Sequence, residues 1–155
     1  MSVSARLAEL GIQLPPVVPP VAAYIPATEH DGLVYTSGQL PMIDGSLPAT
    51  GKVGVGEGLV TADTAKQLAR QCALNAIAAA ADVAGGVDNL ARVVKVTGFV
   101  ASVPEFTGQP SVINGASEAL GEIFGDAGRH ARSAVGVPVL PLDSPVEVEV
   151  VFALV

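Results

Sequence analysis

The chain has 155 residues, a length that fits one domain burying roughly 68–70% of its unfolded surface. The net charge of −7, with only eight scattered Lys and Arg, disfavours nucleic-acid binding, because phosphate contacts need clustered cations. The single cysteine excludes an intrachain disulfide. The sequence has no apolar stretch long enough to predict a membrane span and no leader segment that would predict secretion. These features together favour a cytoplasmic protein. Half of the residues are apolar, so we also expect a homo-oligomer that covers part of this apolar surface.

The first residues predict an N-terminal arm. Residues 3–10 are typical of a short helix that ends at Gly11. Four prolines then favour an extended connector (Pro15, Pro16, Pro19 and Pro20). We therefore treat 1–155 as a single domain, with an arm at 1–21 and a core at 22–155.

The core begins with a predicted hairpin. Strands are expected at 22–27 and 33–37, with Tyr24 at the start of the first and a turn at His30-Asp31-Gly32 between them. The glycine-rich residues 38–60 predict a long loop. Loops of this length in a compact domain are commonly functional or interfacial.

The strongest helical pattern spans 62–84, where small apolar residues recur every three or four positions. Thr61 is a candidate N-cap, Gly85 ends the pattern, and Cys72 lies on the apolar face as a buried small hydrophobe. The remaining elements are a strand at 92–103, a helix at 110–124, and strands at 132–139 and 145–154.

The order β-β-α-β-α-β-β predicts an α+β fold, a mixed sheet with both helices on one face. On the last strand, alternation places Glu147, Glu149 and Val151 on one face. The other face carries only apolar side chains: Val146, Val148, Val150, Phe152 and Leu154. One face meets the helices. The other needs a cover, and a neighbouring subunit is the simplest one.

Two charged residues in this last part of the chain are the best candidates for chemistry. Arg132, the last cation, can grip a carboxylate through two parallel hydrogen bonds. Glu147 lies among valines, where partial burial would raise its pKa and suit it to proton transfer with a water. Glu149 shares its face and competes for the role.

Three further residues are candidate binding groups. Tyr24 and Ser37 carry hydroxyls that can place a water or a substrate, and Gly38 lets the backbone approach a ligand. His30 and His130 are far apart in sequence and have no ligand-spaced partners, so no metal site is predicted. No phosphate-binding glycine motif occurs, and we expect a site without a cofactor.

From Tyr24 onward the chain resembles the RidA family, also called YjgF/YER057c/UK114. The resemblance rests on Val34-Tyr35-Thr36-Ser37-Gly38-Gln39-Leu40-Pro41, Asn75, Val93 to Thr97 with Phe99-Val100, Ala131 to Val137, Leu140-Pro141, and Val146-Glu147-Val148-Glu149. The arm, with Leu7 to Gly11 and Leu14-Pro15, resembles a longer subgroup of that family.

This resemblance implies a chorismate-mutase-like fold and a homotrimer with a central barrel and ligand clefts between subunits. It implies hydrolytic deamination of reactive 2-imino acids, such as 2-iminopropanoate and 2-iminobutanoate, to 2-oxo acids and ammonia. The family's carboxylate-binding arginine falls on Arg132 and its water-positioning glutamate on Glu147. Its substrate-binding positions fall on Tyr24, Ser37 and Ala134, with Gly38 beside them.

Several positions depart from the family pattern. The helix asparagine of the family maps to Asn114 or to Ser117, and Gly128-Arg129-His130 stands where a proline is usual. The loop after Gln39 is also longer. Two alternatives therefore accompany the deaminase interpretation: a trimer that binds small acids without turnover, and a ribonuclease or translation inhibitor, which the −7 charge disfavours.

Overall fold

The computed structural model describes residues 1–20 and 22–155. In chain order its helices and strands are α1 (Val3–Glu9), β1 (Ala27–His30), β2 (Leu33–Thr36), α2 (Ala62–Ala84), β3 (Leu90–Ala101), α3 (Gln109–Phe124), β4 (Ala131–Val137) and β5 (Val146–Leu154). Within this part of the chain no helix combines the length and the apolarity needed to cross a membrane.

The five strands form one mixed sheet in the order β1-β2-β5-β3-β4. β3 and β4 are parallel, and the other neighbours are antiparallel. α2 and α3 pack on each other and on one face of the sheet, where Val146, Val148, Val150 and Phe152 are buried. The α+β fold with two helices on one face is therefore confirmed.

The capping residues that predicted the two ends of α2 cap the helix in the structure. The Thr61 hydroxyl accepts a hydrogen bond from the backbone N–H of Thr64 at 3.2 Å, which caps the first turn. Gly85 ends the helix in the left-handed conformation with φ 78°. Cys72 is fully buried in the core, as predicted.

The first strand was predicted too early in the chain. The turn contains only Asp31 and Gly32, both with positive φ (50° and 77°), so His30 pairs directly with Leu33. A two-residue turn of this kind sets the register of its hairpin, and the strand facing β2 is then 27–30 rather than 22–27. Tyr24 consequently lies in a bend before the strand, not at its start.

The other predicted strands and α3 are displaced from their observed bounds by one or two residues. β4 ends before Pro138, which has no N–H to continue the pairing. β3 ends at Ala101, and Val53 of the long loop pairs there: its N–H donates to the Ala101 carbonyl at 2.7 Å. The loop is thereby attached to the end of the sheet.

The arm packs on the core through α1. Leu7 is buried, and the backbone N–H of Ser4 donates to the Asp88 carboxylate at 2.7 Å. The Ser4 hydroxyl donates to the same carboxylate, and these hydrogen bonds lower the pKa of Asp88 below its ordinary value. Arg6 also donates to the carbonyl of Glu122 on α3.

Two glycines allow the close approach of α3. A Cβ on Gly115 would lie 1.9 Å from the carbonyl oxygen of Lys66 on α2. A Cβ on Gly98 of β3 would lie 2.4 Å from Ile113 Cδ1. The first of these contacts meets rigid helix backbone, which cannot move aside as a side-chain end can.

We predict that Gly115→Ala destabilises the fold by about 2–3 kcal/mol, because the added methyl group forces α2 and α3 apart. Gly121→Ala on the same helix is the matched control, since a Cβ there meets nothing within 4 Å. It should stabilise the protein by about 0.5–1 kcal/mol through helix propensity. Urea unfolding at one fixed protein concentration measures both changes, and equal effects of the two variants would contradict the packing argument.

Candidate functional site

Arg132 lies on β4, one of the two edge strands, with its side chain against α3. Its Nη1 donates to Asn114 Oδ1 at 2.8 Å and to Ser117 Oγ at 3.3 Å. Its Nη2 donates to the carbonyl oxygen of Pro110 at 3.3 Å. Both helix positions that the resemblance suggested therefore contact the same guanidinium.

These contacts leave one edge of the guanidinium available. The group has five N–H donors, and its Nη1 and Nη2 make three hydrogen bonds to α3. Within residues 1–20 and 22–155, no acceptor is hydrogen-bonded to Nε or to the second N–H of Nη2. This is the paired geometry with which an arginine binds a carboxylate through two parallel hydrogen bonds.

Ala134 follows Arg132 by two residues and shares its face of the strand. It is partly buried and packs against the core. Together these residues form what we call the arginine cluster: Arg132, Asn114, Ser117 and Ala134.

Glu147 lies on β5 with its carboxyl group packed against Gly38. A Cβ on Gly38 would lie 2.7 Å from Glu147 Cδ and 2.8 Å from Oε2. Cross-strand from Glu147 is Phe99, an apolar neighbour. Burial, and then the nearby charge of Glu149, raise the pKa of Glu147 above the ordinary carboxyl value.

Ser37 and Tyr24 lie close to Gly38, the residue against which the Glu147 carboxyl group packs. The Ser37 hydroxyl donates to the carbonyl of Ile25 at 2.6 Å, which holds the segment after Tyr24 against the end of β2. Tyr24 is 45% exposed and shares with Gly38 the wall of a cavity of about 30 Å³, room for about one water molecule. These residues form the glutamate cluster: Glu147, Gly38, Ser37 and Tyr24.

The two clusters lie on opposite faces of the sheet. Val96 of β3 pairs with both Arg132 and Val150, so these three share the face that the helices cover. Glu147 is three residues from Val150 and therefore points to the other face. The structure groups the eight predicted residues into two sets of four, and one chain does not bring the sets together.

The open face is partly apolar. Val135, Phe99 and Glu147 form one cross-strand row on it, and Val135 is 43% exposed. Tyr35, 42% exposed, pairs with Val151 two rows further along the same face, beyond the row of Glu149 and Thr97. None of the helices described in the structure packs on this face.

Sequence reasoning missed two contributors to the arginine cluster. Pro110 acts through its backbone carbonyl, which no side-chain pattern can signal. His130 lies 2.9 Å from Ser117 Oγ through its Nε2, and its position two residues before Arg132 on the same strand side was the available signal. Arg129, in contrast, is exposed and lies 3.9 Å from Asp126, directed away from the cluster.

No group of three metal-ligating side chains occurs in the described ranges 1–20 and 22–155. Cys72 is fully buried, and burial, with the nearby Glu147 charge, raises the pKa of its thiol well above the ordinary value. Cys72 is therefore a core side chain and not a candidate nucleophile. The candidate reactive groups are those of the arginine and glutamate clusters.

Comparison with known proteins places this arrangement in a family. The family model described as "YjgF/chorismate mutase-like, putative endoribonuclease" matches residues 4–154. Protein TCP17 of Trypanosoma cruzi is 39% identical over 153 residues, covering 98% of this chain and 94% of its own length. Protein Atu1372 of Agrobacterium tumefaciens, whose crystal structure is described as of unknown function, is 42% identical with a TM-score of 0.86, covering 99% of this chain and 92% of its own.

A crystal structure from Shewanella oneidensis, described as a "putative endoribonuclease", has a TM-score of 0.92 at 30% identity. It covers 99% of this chain and 100% of its own. The family match and the relatives extend over nearly the whole chain, arm included. The chain belongs to the YjgF/chorismate mutase-like family, the family also known as RidA.

Proposed function

We propose that this protein hydrolyses reactive 2-imino or enamino acids to 2-oxo acids and ammonia. The observation that carries the proposal is the guanidinium of Arg132, which α3 holds by three hydrogen bonds to Nη1 and Nη2 while Nε makes none within residues 1–20 and 22–155. A site of this kind selects a small carboxylate by charge and by planar geometry. The family membership supports the same class of substrate.

The proposed catalyst is a homotrimer whose clefts lie between subunits. Arg132 and Glu147 lie on opposite faces of one sheet, so a substrate held by one needs the other from a second copy. The partly apolar open face supports such an assembly, because burial of Val135 and Tyr35 favours association. The arginine cluster of one subunit then faces the glutamate cluster of the next.

In the proposed reaction Arg132 binds the substrate carboxylate, and a water attacks the imine carbon. Glu147 accepts a proton from that water as the new C–O bond forms, and the nitrogen of the protonated imine takes the electron pair of the C=N double bond, giving a neutral carbinolamine. Glu147 then gives this proton to the nitrogen. The C–N bond breaks as the carbinolamine hydroxyl passes its proton back to Glu147, which leaves a 2-oxo acid and ammonia. The upward shift of its pKa makes the Glu147 carboxylate a stronger proton acceptor. Tyr24 and Ser37 orient the water or substrate.

A binding protein with the same two clusters and no turnover is the alternative. The long loop and the arm motivate it, since both add structure to the core that the chemistry does not use. Isothermal titration with a 2-oxo acid, run beside the imine assay, separates the two. Binding that requires Arg132, with no imine turnover, would establish the alternative. Ribonuclease activity is disfavoured by the −7 charge.

We predict that Arg132→Ala lowers kcat/KM for 2-iminopropanoate by about 10²-fold, since charge-assisted hydrogen bonds to the carboxylate are lost. The imine is generated in the assay by an amino-acid oxidase, and its decay is followed. Arg129→Ala is the control: it removes an exposed arginine of the same segment and should leave the rate unchanged. Imine decay that is the same with and without wild-type protein would exclude the proposed activity.

We predict that Glu147→Gln lowers kcat/KM by about 10²–10³-fold through loss of the proton acceptor. In the wild type, kcat/KM should fall as the pH drops through the raised pKa of Glu147, because the protonated carboxyl cannot accept the water's proton. Glu149→Gln removes a charge that raises this pKa. It should therefore keep most activity and move the acid limb to lower pH.

The pH profiles of the two variants distinguish the roles of the carboxylates. An acid limb that stays in place in Glu149→Gln, or a Glu149→Gln variant as inactive as Glu147→Gln, would contradict the assignment of proton transfer to Glu147.

A further inference from the structure

A chain of hydrogen bonds extends behind Arg132 to His130. Arg132 Nη1 donates to Ser117 Oγ at 3.3 Å, and this oxygen lies 2.9 Å from His130 Nε2. The other ring nitrogen, Nδ1, lies 2.6 Å from the carbonyl oxygen of Gly128. All three side chains are partly shielded from solvent.

The carbonyl partner assigns the tautomer of His130. A carbonyl oxygen only accepts, so Nδ1 must carry the proton. In the neutral ring Nε2 is then an acceptor, and the Ser117 hydroxyl must donate to it. The hydroxyl proton is thereby directed away from Arg132, and a lone pair of Ser117 Oγ is directed toward Nη1.

We propose that His130 is a positioning residue for Arg132, acting through the Ser117 hydroxyl. Resting on the proposed function, this inference assigns to His130 the orientation of the group that binds the substrate carboxylate. Without an acceptor at Nε2, the Ser117 hydroxyl is free to rotate, and its lone pair is no longer fixed toward Nη1. The guanidinium then loses its fixed orientation, and the available Nε and Nη2 edge turns from the substrate.

None of the neighbouring charged side chains that the structure describes is placed to orient Arg132 in the way that His130 is. Arg129 is exposed and lies 3.9 Å from Asp126, while Arg92 donates to the Arg129 carbonyl at 3.2 Å. Among the described residues, no carboxylate forms an ion pair with Arg132 or His130. The orientation of Arg132 therefore rests on neutral acceptors, and the direction of one hydroxyl proton matters.

The tautomer is testable without any substrate. In protein labelled with ¹⁵N-histidine, the His130 ring should show a protonated Nδ1 and an unprotonated, hydrogen-bonded Nε2 at a pH where the ring is neutral. His30, the other histidine, is exposed and serves as the internal reference. Ser117→Ala should shift the His130 Nε2 resonance and leave His30 unchanged. A neutral ring protonated at Nε2 would overturn the proposal.

Two variants separate positioning from folding. His130→Gln places an acceptor near the position of Nε2 and keeps a partner for Ser117. His130→Asn places its amide near the position of Nδ1, so it retains the hydrogen bond to Gly128 and leaves Ser117 without an acceptor. We expect His130→Asn to raise KM about three- to tenfold with little change in kcat, and His130→Gln to recover most of that loss.

The same variants are titrated with pyruvate, and the dissociation constant should follow KM. Equal affinities in wild type, His130→Asn and His130→Gln, with folding confirmed by thermal unfolding, would overturn the positioning role. If wild-type protein binds pyruvate through Arg132 but hydrolyses no imine, the proposed function fails, and the affinities still decide the role of His130. If the wild type does neither, the tautomer measurement decides it.

Discussion

The close packing of α3 against α2 and β3 is the contact on which the candidate site depends. Gly115 brings α3 onto the Lys66 carbonyl, and Gly98 admits Ile113 at the sheet surface. Asn114 and Ser117 are three residues apart and therefore lie on one side of the helix, the side that meets Arg132. A small rotation of α3 would separate both acceptors from the guanidinium. The carboxylate-binding edge is thus a product of helix packing.

Much of this architecture follows from local sequence signals. Thr61 and Gly85 delimit α2 because a side-chain cap and a left-handed glycine are local features. The alternation in β5 correctly separated buried valines from the glutamates. The prediction placed the first strand too early, because the limits of this strand depend on the two-residue turn at Asp31-Gly32 and on pairing with β2. The composition of residues 22–27 contains no information about either.

The relation between Arg132 and Glu147 required the structure. Both residues alternate with apolar neighbours, but which face each occupies relative to the other depends on the pairing of β4 with β3 and of β3 with β5. The stretch of the second pairing that relates the two residues has an unshifted register, with Val96 opposite Val150 and Phe99 opposite Glu147, and a slip of one residue there would reverse the face of Glu147. The hydrogen bonds of Pro110 and His130 also involve backbone and hydroxyl groups whose partners only the fold determines.

The central claim is that a complete site takes Arg132 from one copy of the chain and Glu147 from another. Subunit mixing tests it directly: inactive Arg132→Ala and Glu147→Gln proteins are unfolded together, refolded as hetero-oligomers and assayed for imine hydrolysis. Random assembly should restore about a quarter of wild-type activity, because about one interface in four then joins an intact Arg132 to an intact Glu147. Mixed oligomers as inactive as either parent would contradict the claim that a complete site joins residues of two copies.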